Sequence, residues 1–348
     1  MEKILVAMSG GVDSSAALIL LKQAGYEPYG VTMKLLGGLN IDTMPDQRDA
    51  EAVASLLGVP FCAVDYSRDF EESVIKPFAE SYIGGETPNP CLLCNKHLKF
   101  GKLFEKADEM GIKYIATGHY AAIEEKDGKY LLRKAADIKK DQSYVLCNLT
   151  QAHLSRLVFP LGSLTKEKVR DIAKSFSLAN AVKSESQDIC FVREGDYAAF
   201  VSRYSGQQQH SGRFLNKAGQ VMGTHNGMIN YTIGQRRGLG MGFGERTYVV
   251  SKNPVENTVT LGGDGDLFSS ELTLGEVNII SGEFPTRPFT ANVRIRYHHR
   301  EQPATICPLE DGRLKVKFDN PQRAIAPGQW GVIYDGDYVI GGGIISRA

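Results

Sequence analysis

The chain has 348 residues, 42% of them hydrophobic and 23% charged, and its forty Lys and Arg are balanced by forty Asp and Glu. That length exceeds what one core comfortably fills and implies two or three domains, while the even charge gives by itself no sign of a polyanionic partner. No apolar run approaches the roughly 18 residues of a membrane helix, MEKILVAMSG lacks a basic leader or cleavage site, and six cysteines are too sparse for a secreted disulfide scaffold, so a cytoplasmic protein with no membrane partner is expected.

In chain order, KILVAM (residues 3–8) predicts a buried parallel strand and DSSAALILLKQAG a helix stopped by Gly25. YGVTMKLL is a second strand, DQRDAEAVASLLG a helix closed by Gly58, and PFCAVDYS a third strand. A helix over about 68–82, the segment TPNPCLLCNKHLKF, a helix over KHLKFGKLFEKADEMG and a strand at KYIATGHY follow. Strands separated by helices predict an α/β fold with a doubly wound parallel sheet. Beyond Tyr120, AAIEEKDGKYLLRKA has the Asp-Gly turn of a hairpin, and LTKEKVRDIAKSFSL reads as a Thr-capped helix.

From about Ser205 the chain is rich in glycine, and VMGTHNGMINYTIGQRRGLGMG cannot sustain a long helix. Alternation in LTLGEVNII, ANVRIRYHH, LKVKFD and YVIGGGII then predicts a small antiparallel β-barrel. The expected domains are a catalytic one at 1–202, a small glycine-rich central one at 203–270 and the barrel at 271–348. Between Phe200 and Thr247, Arg203, Arg213, Lys217, Arg236, Arg237 and Arg246 stand against Glu245 alone, six minus one, a local excess suited to phosphate backbones.

The most specific signal is ILVAMSGGVDSSAAL, a strand, a turn at Ser9-Gly10-Gly11-Val12-Asp13-Ser14-Ser15, and a helix. Glycines let the backbone curl around an anion, and turn amides plus the positive helix end bind it. The lysine of a Walker A loop is missing. Asp13 among these donors would repel a phosphate, from which magnesium is inferred as mediator; the same residues would also cap the helix. The motif resembles the pyrophosphate-binding loop of ATP pyrophosphatases, which implies cleavage of ATP between α and β phosphates and adenylation of an oxygen.

SGGVDSS, GETPNPCLLCNKHLKF, YIATGHYA, KKDQSYVL, DICFV, NYTIGQRRGLG and PGQWGVIY with GGGII resemble, in matching order along the whole chain, the tRNA-specific 2-thiouridylase family. The resemblance implies replacement of the C2 oxygen of the wobble uridine in the tRNA anticodon by sulfur. It implies ATP and magnesium as cofactors and, as sulfur donor, a cysteine desulfurase relay or inorganic sulfide. It further implies that Ala7, Met8, Ser9, Gly10, Gly11, Val12, Asp13 and Ser14 hold the ATP phosphates, that Met33 borders adenine, and that Gly118 lines the nucleotide. Asn89, Pro90 and Cys91 match the target-base segment, Cys94 the nucleophile and Cys190 the persulfide carrier. His119, Lys140, Asp141, Gln142, Arg296, Tyr297 and Gln329 match tRNA-contacting positions. Against these stand readings of His119 as a core histidine and Tyr297 as barrel packing, while Arg296, flanked by Arg294 and Arg300, reads as surface.

A thiol near pKa 8.5 needs a helix start or a cation to become a nucleophilic thiolate, and Cys94 at a helix start ahead of Lys96 and Lys99 has both. One departure matters: the family's better-described branch has aspartate three residues before the nucleophile, and this chain has Cys91. Two routes follow. Either Cys190 carries a persulfide that Cys94 resolves, or Cys91, Cys94 and Cys190 hold a 4Fe-4S cluster with one open iron, as the resemblance to C-x-x-C RNA thiolases suggests. Zinc, with His97 as fourth ligand, is a further alternative. Cys62, Cys147 and Cys307 read as small buried hydrophobes. The competing function is a synthetase of the ATP pyrophosphatase type that adenylates a small molecule.

Overall fold

The computed structural model describes residues 1–37, 47–176, 178, 189–192, 196–207, 209–240, 242 and 246–347. The strands β1 (Lys3–Ala7), β2 (Glu27–Lys34), β3 (Phe61–Asp65) and β4 (Tyr114–Ala116) are the four expected in the first half. After a hairpin of β5 (Ala121–Lys126) and β6 (Lys129–Lys134) comes β7 (Leu157–Val158), too short for any periodicity to reveal. Five of these form a parallel sheet in the order β3-β2-β1-β4-β7. Side chains alternate across it as the pleat requires. Ile4 and Val6 join Leu18 and Ile19 of helix α1 (Val12–Gln23) and Val53 and Ala54 of α2 (Gln47–Leu56). Leu5 faces the opposite core with Leu103 and Phe104.

Two long helical stretches flank the sheet, and both contain a π-helical segment: Glu71–Ile75 and Asn95–Lys102. The second stretch starts at Pro90, six residues before the run KHLKFGKLFEKADEMG suggested. Its start is well encoded, since Asn89 accepts from the Cys91 amide and Pro90 occupies the first turn, where a missing N–H costs nothing.

The middle of the chain forms a four-stranded sheet in the order β10-β11-β8-β9, from β8 (Gly212–Leu215), β9 (Val221–His225), β10 (Tyr248–Asn253) and β11 (Thr258–Gly262). It encloses Phe214, Val249, Val259 and Leu261. The last segment builds β12 (Phe268–Ile279), β13 (Phe289–Arg294), β14 (Gln302–Pro308), β15 (Leu314–Arg323), β16 (Trp330–Asp335) and β17 (Tyr338–Ile345). These six run β12-β15-β14-β13-β16-β17 and close through β12–β17 into an antiparallel barrel. Pro303 and Pro308 hide β14 from a sequence reading, because proline usually argues against a strand.

The hairpin is the unexpected element. It leaves the parallel sheet and pairs with β17, with Arg133 opposite Tyr338. Trp330, Val332 and Tyr334 of β16 accordingly sit in the same core as Leu5 and Phe104. Among the described residues no helix is long and apolar enough to cross a membrane.

The GGG of β17 is a packing requirement. A Cβ on Gly341 would lie 2.1 Å from the Asn278 carbonyl oxygen, and one on Gly342 would lie 2.8 Å from that of Gly331 and 3.0 Å from the Cys147 sulfur. Gly342→Ala is expected to lower stability by about 1–3 kcal/mol through overpacking, read as a reduced urea midpoint; an unchanged midpoint would show that the barrel and Cys147 yield freely.

Candidate active site

Two structural edges meet where an anion would bind. The loop after β1 and the residues after β4 lie at the carboxyl ends of adjacent strands, and the chain order reverses at that pair, the usual position of a site in an open α/β sheet. Gly10 has φ 73°, which favours glycine, and Gly11 stands before the first turn of α1 without a side-chain cap. The serines brace the turn: Ser14 Oγ donates to the Gly11 carbonyl at 3.1 Å and accepts from the Ser9 amide at 3.2 Å, and Ser15 Oγ donates to Gly11 O at 2.9 Å. Gly118 is needed for contact, because a Cβ there would lie 2.8 Å from the Ser14 nitrogen. Ala7, Met8 and Val12 frame this loop, and Met33, packed against the cores that contain Leu5 and Leu35, is the penultimate residue of β2.

Asp13 has partners that the sequence did not reveal. Lys166 Nζ donates to both its carboxylate oxygens, at 2.7 and 2.8 Å, and Tyr120 Oη donates to Oδ1 at 2.8 Å. The Lys166 side chain is only 9% exposed. Repulsion between Asp13 and a phosphate is therefore already countered, and the inference of magnesium from Asp13 alone loses its premise; magnesium rests instead on the ATP chemistry of the loop. No sequence signal ties Lys166 to Asp13, since Lys166 reads only as the first residue of the helix Lys166–Ser175 capped by Thr165.

The thiols gather near the end of β2. Phe191 is 1% exposed and packs edge-on against Phe70 and Phe78, at 5.6 and 5.2 Å between centroids, so that its neighbour Cys190 is turned toward solvent. Ile189, Val192 and Cys94 belong to the same core. Cys91 is also exposed and Cys94 half-buried. Although Cys91 and Cys190 present area to solvent, protein surrounds them closely enough for lost hydration to dominate their titration, as on the wall of a cleft. Burial pushes the Cys94 thiol up to about 11 and that of Cys190 to about 12, and Cys91 is raised as well. Cys91 and Cys94 each disfavour ionisation of Cys190, which places the three within electrostatic reach of one another. Lys99 opposes the shift at all three and loses to desolvation. The expectation that Cys94 opens a helix and gains a thiolate is thus overturned: the helix opens at Pro90, Cys94 ends its first turn, and the thiols are neutral at neutral pH.

Among the described residues no three His, Cys, Asp or Glu side chains are gathered closely enough to hold a metal ion. The donor set of Cys91, Cys94 and Cys190 fits a cluster in its chemistry, being three thiols within electrostatic reach of one another, and ligation would have to draw them closer. His97 lies toward Glu276 of the barrel. Cys147 is fully buried, and Cys62 and Cys307 are half-buried.

Of the residues matched to tRNA contacts, Asp141, Arg296, Tyr297 and Gln329 make contacts between domains, whereas His119 and Gln142 are held within the first. His119 is 7% exposed, its Nδ1 lies 2.7 Å from Thr117 Oγ1, its ring packs against Phe100 and Phe159, and burial lowers its pKa, so that an RNA contact would require the ring to leave that packing. Gln142 accepts from the Tyr120 amide at 2.9 Å, next to Lys140. Buried Asp141 accepts from the Ala135 and Ser143 amides and from Arg294, and Tyr297 Oη donates to its carbonyl. Arg296 is not surface: it is half-buried and its Nη2 donates to Ala324 O at 2.6 Å. Gln329 Nε2 donates to Thr87 O at 2.6 Å, close to Asn89 and Pro90. Arg203, Arg213, Arg236, Arg237 and Arg246 are exposed, while Lys217 pairs with Asp266 at 2.7 Å.

Known proteins resemble this chain in sequence along its whole length. Residues 2–194 match the family described as tRNA methyl transferase HUP domain, residues 198–263 its PRC-barrel domain and residues 269–345 the aminomethyltransferase beta-barrel domain. The tRNA-specific 2-thiouridylase MnmA of Clostridioides difficile is 44% identical over 356 residues, covering 100% of this chain and 99% of that protein. MnmA 2 of Caldanaerobacter subterraneus subsp. tengcongensis is 45% identical over 357 residues, covering 99% and 98%. Among solved structures, the U34-tRNA thiolase NcsA from Methanococcus maripaludis with its [4Fe-4S] cluster has 16% identity and a TM-score of 0.37, over 59% of this chain and 64% of that one.

Lys166→Met should raise the KM for ATP about tenfold and lower stability by roughly 1–3 kcal/mol, since it strips a mostly buried carboxylate of its partner, with Lys166→Arg recovering much of both. Asp13→Asn should weaken ATP use and leave tRNA binding nearly intact in a gel-shift titration; equal loss of both would remove the loop from nucleotide binding. With the Cys94 thiol raised to about 11, its alkylation by iodoacetamide in metal-free protein should be slow at pH 7 and climb about tenfold per pH unit between 8 and 10. A plateau by pH 8 would mean that Lys99 outweighs desolvation.

Proposed function

The chain belongs to the tRNA-specific 2-thiouridylase (MnmA) family along its whole length and is a tRNA sulfurtransferase, and on that premise we propose that it exchanges the C2 oxygen of the wobble uridine for sulfur after ATP-dependent adenylation. One observation supports the proposal: the charge of Lys99 reaches all three thiols and also His119, whose neighbour Gly118 packs against Asp13 and Ser14 of the glycine loop. The proposed location is cytoplasmic.

In the proposed sequence, loop amides and serine hydroxyls hold the ATP phosphates, with magnesium supplied by the nucleotide. The uridine O2 attacks the α phosphorus, the bond to the β phosphate breaks, and pyrophosphate leaves. AMP on O2 makes C2 electrophilic and O2 a leaving group. A persulfide on Cys190, charged by a desulfurase relay or from inorganic sulfide with an oxidant, then bonds its outer sulfur to C2, and AMP departs. Cys94 attacks the inner sulfur, freeing 2-thiouridine and leaving a Cys94–Cys190 disulfide for an external thiol reductant to reopen. The raised pKa of the Cys94 thiol suits this order, because it keeps the resolving cysteine protonated, and so unreactive toward the persulfide, until RNA arrives. Uridine must leave the anticodon stack to reach this edge. Asn89, Pro90 and Cys91 are proposed to receive it, and the exposed arginines of the central sheet to hold the backbone.

Cys91, Cys94 and Cys190 are the residues that would hold a 4Fe-4S cluster, whose open iron supplies a site for hydrosulfide. Cys91 in place of aspartate favours this second reading.

The test is whether AMP and pyrophosphate form only when unmodified tRNA is added. Cys94→Ser and Cys190→Ser should abolish thiolation; turnover driven by a free amino acid would instead indicate a small-molecule synthetase. Anaerobic protein holding about four iron and four acid-labile sulfides per chain, with Cys91→Asp inactive, would establish the cluster. Iron-free protein that thiolates at full rate would exclude it.

A further inference from the structure

Thr87 lies four residues ahead of Cys91, on the catalytic domain, and both its backbone polar groups are held by the barrel. Its amide donates to Pro327 O at 2.9 Å, and its carbonyl accepts from Gln329 Nε2 at 2.6 Å. Between these two residues Gly328 has φ 85°, and a Cβ there would lie 2.9 Å from Glu86 Cβ and 3.1 Å from the Thr87 nitrogen. The turn is fixed in turn to β17, through Gly328 N to Ile345 O at 3.0 Å and Ile345 N to Gln329 O at 2.7 Å. Arg347, beyond β17, pairs with Glu86 at 3.6 Å.

From Thr87 the connection to the thiols is short. Asn89 caps the next helix by accepting from the Cys91 amide, and buried Pro90 restricts the chain between them. We propose that the barrel turn at 327–329 is a positioning device for sulfur transfer: by gripping Thr87 it sets where the Cys91–Cys94 helix stands, so that a barrel residue governs the approach of thiols carried by the catalytic domain. Gln329 then acts through Thr87, and any RNA group that competed for its amide would loosen the grip and couple anticodon docking to the movement of the thiols.

The proposal rests on the thiouridylase reading for its purpose, and its first test does not depend on that reading. In full-length, metal-free, RNA-free protein, alkylation of Cys91 and Cys94 by iodoacetamide is followed by peptide mass spectrometry, with Cys307 as internal reference. Gln329→Ala and Gly328→Ala should each change the rate at Cys91 and Cys94 several-fold, up to about tenfold for one strong hydrogen bond, with Cys307 unmoved. Unchanged rates in Gln329→Ala overturn the proposal, whether or not Gly328→Ala folds. In thiolation assays Gly328→Ala should lower kcat by about the same factor and leave the KM for tRNA within about twofold. A loss confined to KM overturns the positioning role, whereas altered alkylation without any thiolation in the wild-type protein would count against the thiouridylase reading instead.

Discussion

Lys166 and Asp13 stand 153 residues apart in sequence and 2.7 Å apart in space. The site depends on that pair. A lysine so little exposed is unfavourable unless a carboxylate meets it, and a carboxylate beside a phosphate is unfavourable unless a cation neutralises it. Each resolves the other's problem, and Tyr120 adds a third partner from the residues that follow β4. The consequence is mechanical as well as electrostatic. Helix Lys166–Ser175 is tied to α1, the hairpin entrance is tied through Tyr120 and Gln142, and the loop at Ser9–Ser15 is held from several sides before any nucleotide binds.

The thiols follow a different balance. Sequence alone favours ionisation, through a helix start and nearby lysines, but desolvation outweighs both. Local charge is legible from neighbours in the chain, whereas burial depends on Phe70, Phe78 and Phe191 closing around the segment from other elements. A cleft that keeps its cysteines neutral is protected from adventitious oxidation, because the thiolate is the reactive form. It also makes reactivity conditional on whatever brings a cation, a cluster or an RNA to that cleft.

Much of the architecture was legible. The apolar runs of the first half, the Asp-Gly hairpin, the Thr165 cap and the alternating strands of the last segment all appear where local patterns put them. The phosphate loop was legible because its geometry is set by glycines and serines within seven residues. What escaped was set by tertiary contact: the two-residue β7, the proline-bearing β14, the partners of Asp13, and the internal duties of Asp141, Arg296 and Gln329. For those three, side chains that read as reaching for RNA are engaged in contacts between domains, Asp141 with Arg294, Arg296 with Ile233 O and Gln329 with Thr87 O.

The hairpin β5–β6 lends two strands of the first half to the sheet built by the last, with Arg133 opposite Tyr338. During synthesis these strands emerge some two hundred residues before their partner. The amino-terminal half can therefore collapse early, but it carries an unpaired edge, and an ungripped cysteine segment, until β17 has been made. Assembly of this edge thus waits on a strand made some two hundred residues later, and a chain lacking that strand would lose the anchorage of the barrel turn that contacts Thr87.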